Sequence, residues 1–256
     1  MHSQPTVAAV LALRQQGLGA RRIARLTNLP VATVRDWLAG RLPRHSRDRP
    51  EGSSRYQTCE KCGQAAHDFV ALPTAYVYLL GLYLGDGSIA SHPRGVFRLR
   101  ITLDIAYPGI IDSACCAARE VTRGHVSAKR RTVQNCVDVS SYWKAWPCLL
   151  PQHGPGKKKD RRIWLADWQQ KLVEQHPHQL LRGLIHSDGH RFINTGRGTW
   201  SCPRYGFTQV SDDIRGIFCQ ACDLMGLRWT RAGQRTIYIS RKSDVALLDQ
   251  FIGPKR

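Results

Sequence analysis

The chain carries the same motif twice, about one hundred residues apart. Leu79-Leu80-Gly81-Leu82-Tyr83-Leu84-Gly85-Asp86-Gly87 recurs as Leu181-Arg182-Gly183-Leu184-Ile185-His186-Ser187-Asp188-Gly189, 102 residues later. Val137-Asp138-Val139-Ser140 recurs as Ile237-Tyr238-Ile239-Ser240 at an offset of 100, and Gly154-Pro155-Gly156-Lys157 as Gly253-Pro254-Lys255 at an offset of 99. Three correspondences at nearly one offset imply two copies of a single unit of roughly 90 residues. Two copies are too few for a solenoid, which leaves a pseudo-two-fold pair as the simplest assembly.

Hydrophobic periodicity gives each copy one order: helix, two strands, helix, two strands, helix. In the first copy helices are predicted over 74–85 and 108–121 and a broken one over 142–150, with strands near 88–90, 96–104, 125–131 and 133–141. The second copy has an extra helix at 165–176 and then helices at 179–187, 212–225 and 243–252. Its strands are predicted near 190–194, 205–211, 228–232 and 235–240. Within the motifs, Gly81, Gly85, Gly183 and Ser187 are small enough to let two helices cross closely. Leu80, Leu84, Leu181, Leu184 and Ile185 are bulky and point into two cores.

Lysine plus arginine total 38 against 19 acidic residues, a net charge of +19 spread along the chain. Such a surface is expected to meet nucleic acid. Arginine outnumbers lysine 29 to 9, a bias that GC-rich coding explains as well as function does. An apolar content of 42% supports packed cores and excludes a wholly disordered basic tail. No apolar run reaches the roughly 18 residues of a membrane helix. No secretory signal is visible, so a cytoplasmic, nucleoid-associated location is expected. Nine cysteines without an export signal argue against a disulfide framework.

Residues 1–46 read as a small all-α domain. Val7, Val10, Leu11 and Leu13 form one apolar stripe, Gly17 and Gly19 break the helix, and Asn28-Leu29-Pro30 turns between two further short helices. The pattern resembles a helix-turn-helix, with Ala24 small at the crossing, Leu29 apolar in the turn and Val34 and Trp37 packing inward. On that likeness Thr33, Arg35 and Asp36 are expected to face base edges, and Arg21, Arg22 and Arg25 to lie near phosphates. The plainer reading is a helical hairpin for protein contacts. Residues 47–71 are read as a linker holding Cys59-Glu60-Lys61-Cys62, at the spacing of zinc ligands. His67 follows, and a fourth ligand is either His45 or absent. The remaining possibility is two thiols in a loop. Cys115 and Cys116 read as core, and Cys136, Cys148 and Cys202 as scattered.

The two motifs, each followed by the same elements, resemble those of the LAGLIDADG homing endonucleases over residues 72–256. The resemblance implies an α+β fold of tandem αββαββα repeats, 72–160 and 161–256, related by a pseudo-two-fold axis. It also implies that one chain works as a monomer. The family's catalytic acids precede the closing glycine of each motif, and Asp86 and Asp188 hold those positions here. Both lie at helix C-termini, where the dipole disfavours negative charge, so a cation is expected between them: Mg2+, or Mn2+ in its place. The plainer role for each aspartate is to cap the turn into glycine. The motif's earlier acidic position is Leu84 in one copy and His186 in the other. His186 is either an extra ligand or an inert residue on the helix surface. Lys129, Lys144, Arg191 and Lys242 are the candidate basic residues around the site.

Residues 97–104 alternate strictly. Phe97, Leu99, Ile101 and Leu103 share one face, and Arg98, Arg100, Thr102 and Asp104 the other, a polar row suited to a DNA groove. The partner expected is therefore double-stranded DNA. The function expected is site-specific cleavage. A helix-turn-helix regulator on a non-cleaving LAGLIDADG fold is the alternative, and an RNA-binding maturase a third. An intein is disfavoured, since the chain starts at its own Met1 and lacks a His-Asn splice junction at its end.

Overall fold

The computed structural model describes residues 4–42, 58–196 and 201–253. They fall into two compact units that divide after residue 56. His45, the linker residues 43–57 and the closing residues 254–256 lie outside the described residues.

The smaller unit is three helices, α1 (Gln4–Gln15), α2 (Ala20–Thr27) and α3 (Val31–Leu38). Val7, Val10, Ile23, Ala24, Val34 and Trp37 form its core. Asn28 ends α2 in the left-handed conformation (φ 52°) and donates its backbone N–H to the Ala24 carbonyl. Asparagine tolerates that geometry at little cost, so the chain turns there without glycine. Arg21, Arg22, Arg25 and Arg35 are exposed, whereas Thr33 is half-buried. Asp36, expected at a base edge, is exposed and pairs with Arg41 at 2.9 Å.

The larger unit contains the two repeats. The first runs α4 (Ala75–Asp86), β1 (Gly87–His92), β2 (Val96–Asp104), α5 (Pro108–Thr122), β3 (Val126–Arg130), β4 (Cys136–Trp143) and the short α6 (Trp146–Leu149). An additional helix, α7 (Asp167–Gln175), leads into the second. That repeat runs α8 (Pro177–Asp188), β5 (Gly189–Thr195), β6 (Ser201–Thr208), α9 (Asp212–Leu224), β7 (Trp229–Ala232), β8 (Thr236–Ile239) and α10 (Lys242–Phe251). The strand orders are β1-β2-β4-β3 and β5-β6-β8-β7, antiparallel at every junction. The chain is thus α+β, with αββαββα topology in each half.

Helices α4 and α8 form the centre. Every residue of α4 from Tyr76 to Leu84 is buried, the signature of a helix enclosed on all sides. The contact between the helices is reciprocal. A methyl group on Gly81 would meet the Leu180 carbonyl at 2.6 Å and Gly183 Cα at 2.9 Å; one on Gly183 would meet the Tyr78 carbonyl and Gly81 Cα. Both sheets and both central helices share one continuous apolar core.

The Asp-Gly pair closing each motif also has a steric cause. Each helix passes directly into a strand. A Cβ on Gly87 would lie 2.5 Å from Tyr83 Cα, and one on Gly189 would lie 2.6 Å from Ile185 Cα. Real side chains do not sit that close, so only glycine makes the turn. The acid before it is therefore fixed at the start of an edge strand in both halves.

Residues 58–71, read as part of a linker, instead pack on the larger unit. Lys61 Nζ donates to the Pro147 carbonyl at 3.1 Å, and the Phe69 ring stacks on Trp168 at 4.2 Å. Apolar Phe69 and Leu72 supply the burial that holds the segment down.

Candidate acidic site and nucleic-acid interface

Asp86 ends α4 and Asp188 ends α8, so the helix crossing brings the two carboxylates to one region. Asp86 is exposed and Asp188 half-buried. A Cβ on Gly85 would lie 2.7 Å from Asp188 Oδ2, which places the Asp188 carboxylate against the last turn of the other motif helix. Gln209, just past β6, donates to the same oxygen at 2.6 Å.

Both acids act electrostatically on Lys158, in the segment joining the repeats. Its Nζ donates to the Tyr83 carbonyl at 2.5 Å and the Gly85 carbonyl at 2.7 Å, and lies over the Tyr83 ring. It thus caps the carbonyl end of α4, where the dipole is negative. Burial pushes the Lys158 ammonium down to about 8, while Asp188 and Asp86 hold it up against that penalty. Lys158 is not legible in the sequence because it sits in a run of three lysines, in a single 3-10 turn too short to show a periodicity that would orient it.

The folded chain therefore binds fewer protons than the unfolded chain between pH 8 and the usual lysine value. Stability rises with pH across that window on account of this residue. In urea unfolding, the wild type is expected to gain on Lys158→Met as pH rises from 8 to 9.5, by up to about 1.4 kcal/mol per pH unit. A difference that stays constant would place the ammonium in water.

The other basic candidates are distributed differently. Arg191 is exposed on the edge strand β5. In the strand register it lies opposite Tyr205, which lies opposite Ile239, on the core side of the second sheet. There it forms a fork with Asp249 of α10 at 2.7 and 2.9 Å, and Tyr205 donates to the same carboxylate at 2.6 Å. The hydrogen bonds from Arg191 hold the Asp249 carboxyl below the usual range. Lys242 is exposed on the first residue of α10, and Lys144 is half-buried after β4. Lys129 is exposed on β3, opposite Asp138.

His186 is not on a helix surface. It is 6% exposed, with Nδ1 at 2.9 Å from the Tyr78 hydroxyl and Nε2 at 3.0 Å from the Ile252 carbonyl. Both ring nitrogens are occupied, so it joins the motif helices to the end of α10 rather than serving a metal. Leu84, its counterpart, is fully buried.

The outer face of the first sheet follows from the alternation of β2, where Leu99, Ile101 and Leu103 are buried. Arg98 Nε and Nη2 donate to Ser140 Oγ at 3.2 and 2.9 Å. Thr102 donates to Asp138 at 2.8 Å, and Arg131 Nε reaches both oxygens of that carboxylate at 3.1 Å. Burial would raise the Asp138 carboxyl, but hydrogen bonds from Arg131 and Thr102 bring it below its ordinary value. Arg100 lies in the same row, next to that charge. The second sheet presents different chemistry: His190 stacks on Phe192, Phe192 packs against Tyr238, and Thr208 pairs with Thr236 at 3.1 Å.

Cys59 and Cys62 converge with two residues distant from each other in sequence. The ligating atoms of Cys59, Cys62, His67 and Cys148 all lie within 4.8 Å of one another.

No protein-family model and no curated protein matches the chain. Among solved structures it is similar to the N-terminal LAGLIDADG domain of WhiA, at 14% identity and a TM-score of 0.45, over 73% of this chain and 89% of that one. It is also similar to the homing endonuclease I-WcaI bound to its DNA recognition sequence, at 14% identity and a TM-score of 0.46, over 72% and 83%. A third is I-DmoI in complex with DNA and Ca, at 12% identity and a TM-score of 0.45, over 70% and 88%. Among the described residues, no helix is long and apolar enough to cross a membrane.

Proposed function

We propose that the chain is a sequence-specific double-stranded DNA-binding protein that cuts DNA with a divalent metal ion, Mg2+ or Mn2+, held by Asp86 and Asp188. The observation that carries this reading is the pairing of the two acids at the crossing of α4 and α8. Each ends its helix, each precedes an edge strand, and both act on Lys158. Oxygen donors of this kind suit hard cations, which complete their coordination with phosphate and water. A metal ion there supplies charge stabilisation at a scissile phosphate and a more acidic water. The protein's own part is to fix the two carboxylates, through the glycine turns and through Gln209 on Asp188. One chain contributes both acids, so the active species is a monomer. Its place is on DNA, at the nucleoid.

The sheets supply the recognition surface. Arg98, Arg100, Thr102 and Lys129 on one outer face favour phosphates and guanine edges, whereas His190, Phe192 and the threonines of the other favour apolar and hydroxyl contacts such as thymine methyls. Two unlike faces read two unlike half-sites, so the target is not palindromic. The three-helix unit adds contacts from Arg21, Arg22, Arg25, Thr33 and Arg35 as a helix-turn-helix. Arg35→Ala is expected to weaken binding to a selected site by about 1–3 kcal/mol and to relax selectivity at one position. Unchanged selectivity in a binding titration would remove α3 from the interface.

One observation favours the regulator as a second reading. Lys158 already gives the acids a standing counter-charge, which a protein that only binds DNA can use in place of metal. The experiment that decides is incubation of the protein with its selected site in Mg2+: broken strands support cleavage, and intact bound DNA supports regulation.

A further inference from the structure

We propose that Cys59, Cys62, His67 and Cys148 form a structural zinc site that fastens residues 58–67 to the end of the first repeat. The four ligating atoms lie within 4.8 Å of one another. Cys59 Sγ is 3.7 Å from Cys148 Sγ, and Cys62 Sγ is 3.2 Å from His67 Nε2. A tetrahedron with Zn–S of about 2.3 Å and Zn–N of about 2.0 Å has edges of about 3.8 and 3.5 Å. The side chains are therefore close to a zinc coordination shell as they stand.

The backbone around the pair is also shaped for a metal. Thr58 and Ala65 pair as an isolated bridge, Cys59 N–H donates to the Gln64 carbonyl at 2.8 Å, and Gly63 N–H returns to the Cys59 carbonyl at 2.8 Å. Gly63 takes a positive φ of 65° that closes this tight loop. Backbone N–H groups of Cys62 and Lys61 point at the Cys59 sulfur, the arrangement that orients and stabilises a ligating thiolate. Cys148 comes from α6, 86 residues beyond Cys62, and is 8% exposed. Three thiolates on Zn2+ leave one negative charge, and the Lys61 ammonium is held beside the site by the Pro147 carbonyl.

A second Cys-x-x-Cys in the chain shows that spacing alone does not make a metal site. Cys219 and Cys222 lie one turn apart inside α9, and both are buried in the apolar core. Burial pushes the Cys219 thiol up to about 11. No histidine or third sulfur joins them among the described residues that could ligate a metal. The first pair sits in a loop and is completed by His67 and Cys148; the second serves packing.

The test uses the full, tag-free chain purified under reducing conditions without chelator. Elemental analysis is expected to find one zinc per chain. Exchange for Co2+ is expected to give the visible bands of a tetrahedral site and a charge-transfer intensity matching three thiolates. Cys148→Ser is expected to weaken zinc retention by at least about 100-fold, and Cys222→Ser to leave it unchanged. Should Cys148→Ser fail to fold, the cobalt spectrum of the wild type still decides. An intensity of two thiolates would overturn the three-cysteine ligand set. A reduced protein with no metal and no tetrahedral cobalt spectrum would overturn the site altogether. Cutting or not cutting DNA has no bearing on any of these outcomes.

Discussion

Gly81→Ala and Gly183→Ala are each expected to destabilise the two-repeat unit by about 3 kcal/mol or more, near the upper end of what overpacking costs. The atoms that a new methyl would meet are backbone: the Leu180 carbonyl, Gly183 Cα and Leu184 N in one case, the Tyr78 carbonyl, Gly81 Cα and Leu82 N in the other. No rotamer change relieves such a clash, so α4 and α8 must separate. Separation opens the shared core around Tyr76, Leu80, Leu181 and Leu184, all fully buried. Against a typical stability of about 5–15 kcal/mol, the loss is a large fraction. Gly216, inside α9, is the control. A methyl there meets nothing within 4 Å, so Gly216→Ala is expected to stabilise by up to about 1 kcal/mol through helix propensity. Urea unfolding followed by tryptophan fluorescence reads all three. Wild-type stability in Gly81→Ala would mean that the helices do not cross at that residue.

The same variants bear on function, because the crossing also positions the acids. Any shift of α4 against α8 moves Asp86 relative to Asp188. A milder substitution at the crossing is therefore expected to lower cleavage before it lowers binding, since the proposed recognition surface is the outer faces of the sheets.

Much of this architecture was legible in the sequence because it is repeated. An offset near 100 residues fixed two copies of one unit, and the strict alternation of residues 97–104 placed β2 with the correct face inward. Glycine and leucine types within the motifs identified the close crossing. Asn28-Leu29-Pro30 marked a turn, which Asn28 makes in the left-handed conformation that asparagine tolerates. These signals are local, or are copied twice.

What escaped notice depends on partners remote in sequence. Cys148 sits among Trp146, Pro147 and Leu149 and reads as one more scattered cysteine; only the fold brings it to Cys59. Lys158 has meaning only beside the carbonyls of Tyr83 and Gly85. His186 belongs to the interior because Tyr78 and Ile252 close over it, which no spacing within its own helix reveals. Strand parity sets Arg191 on the face of Tyr205 and Ile239, opposite that of His190 and Phe192, but its partner Asp249 is 58 residues away and only the fold supplies it. The segment 58–71 has the composition of a linker, yet Phe69 and the cysteine loop anchor it.

The second large effect concerns cleavage. Asp86→Asn and Asp188→Asn each keep the side chain's shape and remove one negative charge. Asp188→Asn retains an oxygen that Gln209 can donate to, so the fold around it is expected to persist. Cutting is expected to fall by several orders of magnitude in either variant, because one metal ligand charge is lost at the point where phosphate charge must be stabilised. Binding in Ca2+ is expected to hold or to tighten, since each variant relieves repulsion between a carboxylate and the phosphate backbone. This split between binding and cutting separates a catalytic acid from one that merely shapes the turn. A structural cap would lose both together, or neither.

The most direct measurement is a cleavage assay on a site selected from random double-stranded DNA, with wild type, Asp86→Asn and Asp188→Asn compared in Mg2+, Mn2+ and Ca2+. The wild type is expected to bind the site in all three and to break both strands in Mg2+ or Mn2+. Each asparagine variant is expected to bind as tightly and to leave the DNA whole. Tight wild-type binding with intact DNA in both Mg2+ and Mn2+ would contradict cleavage and make the protein a DNA-binding regulator.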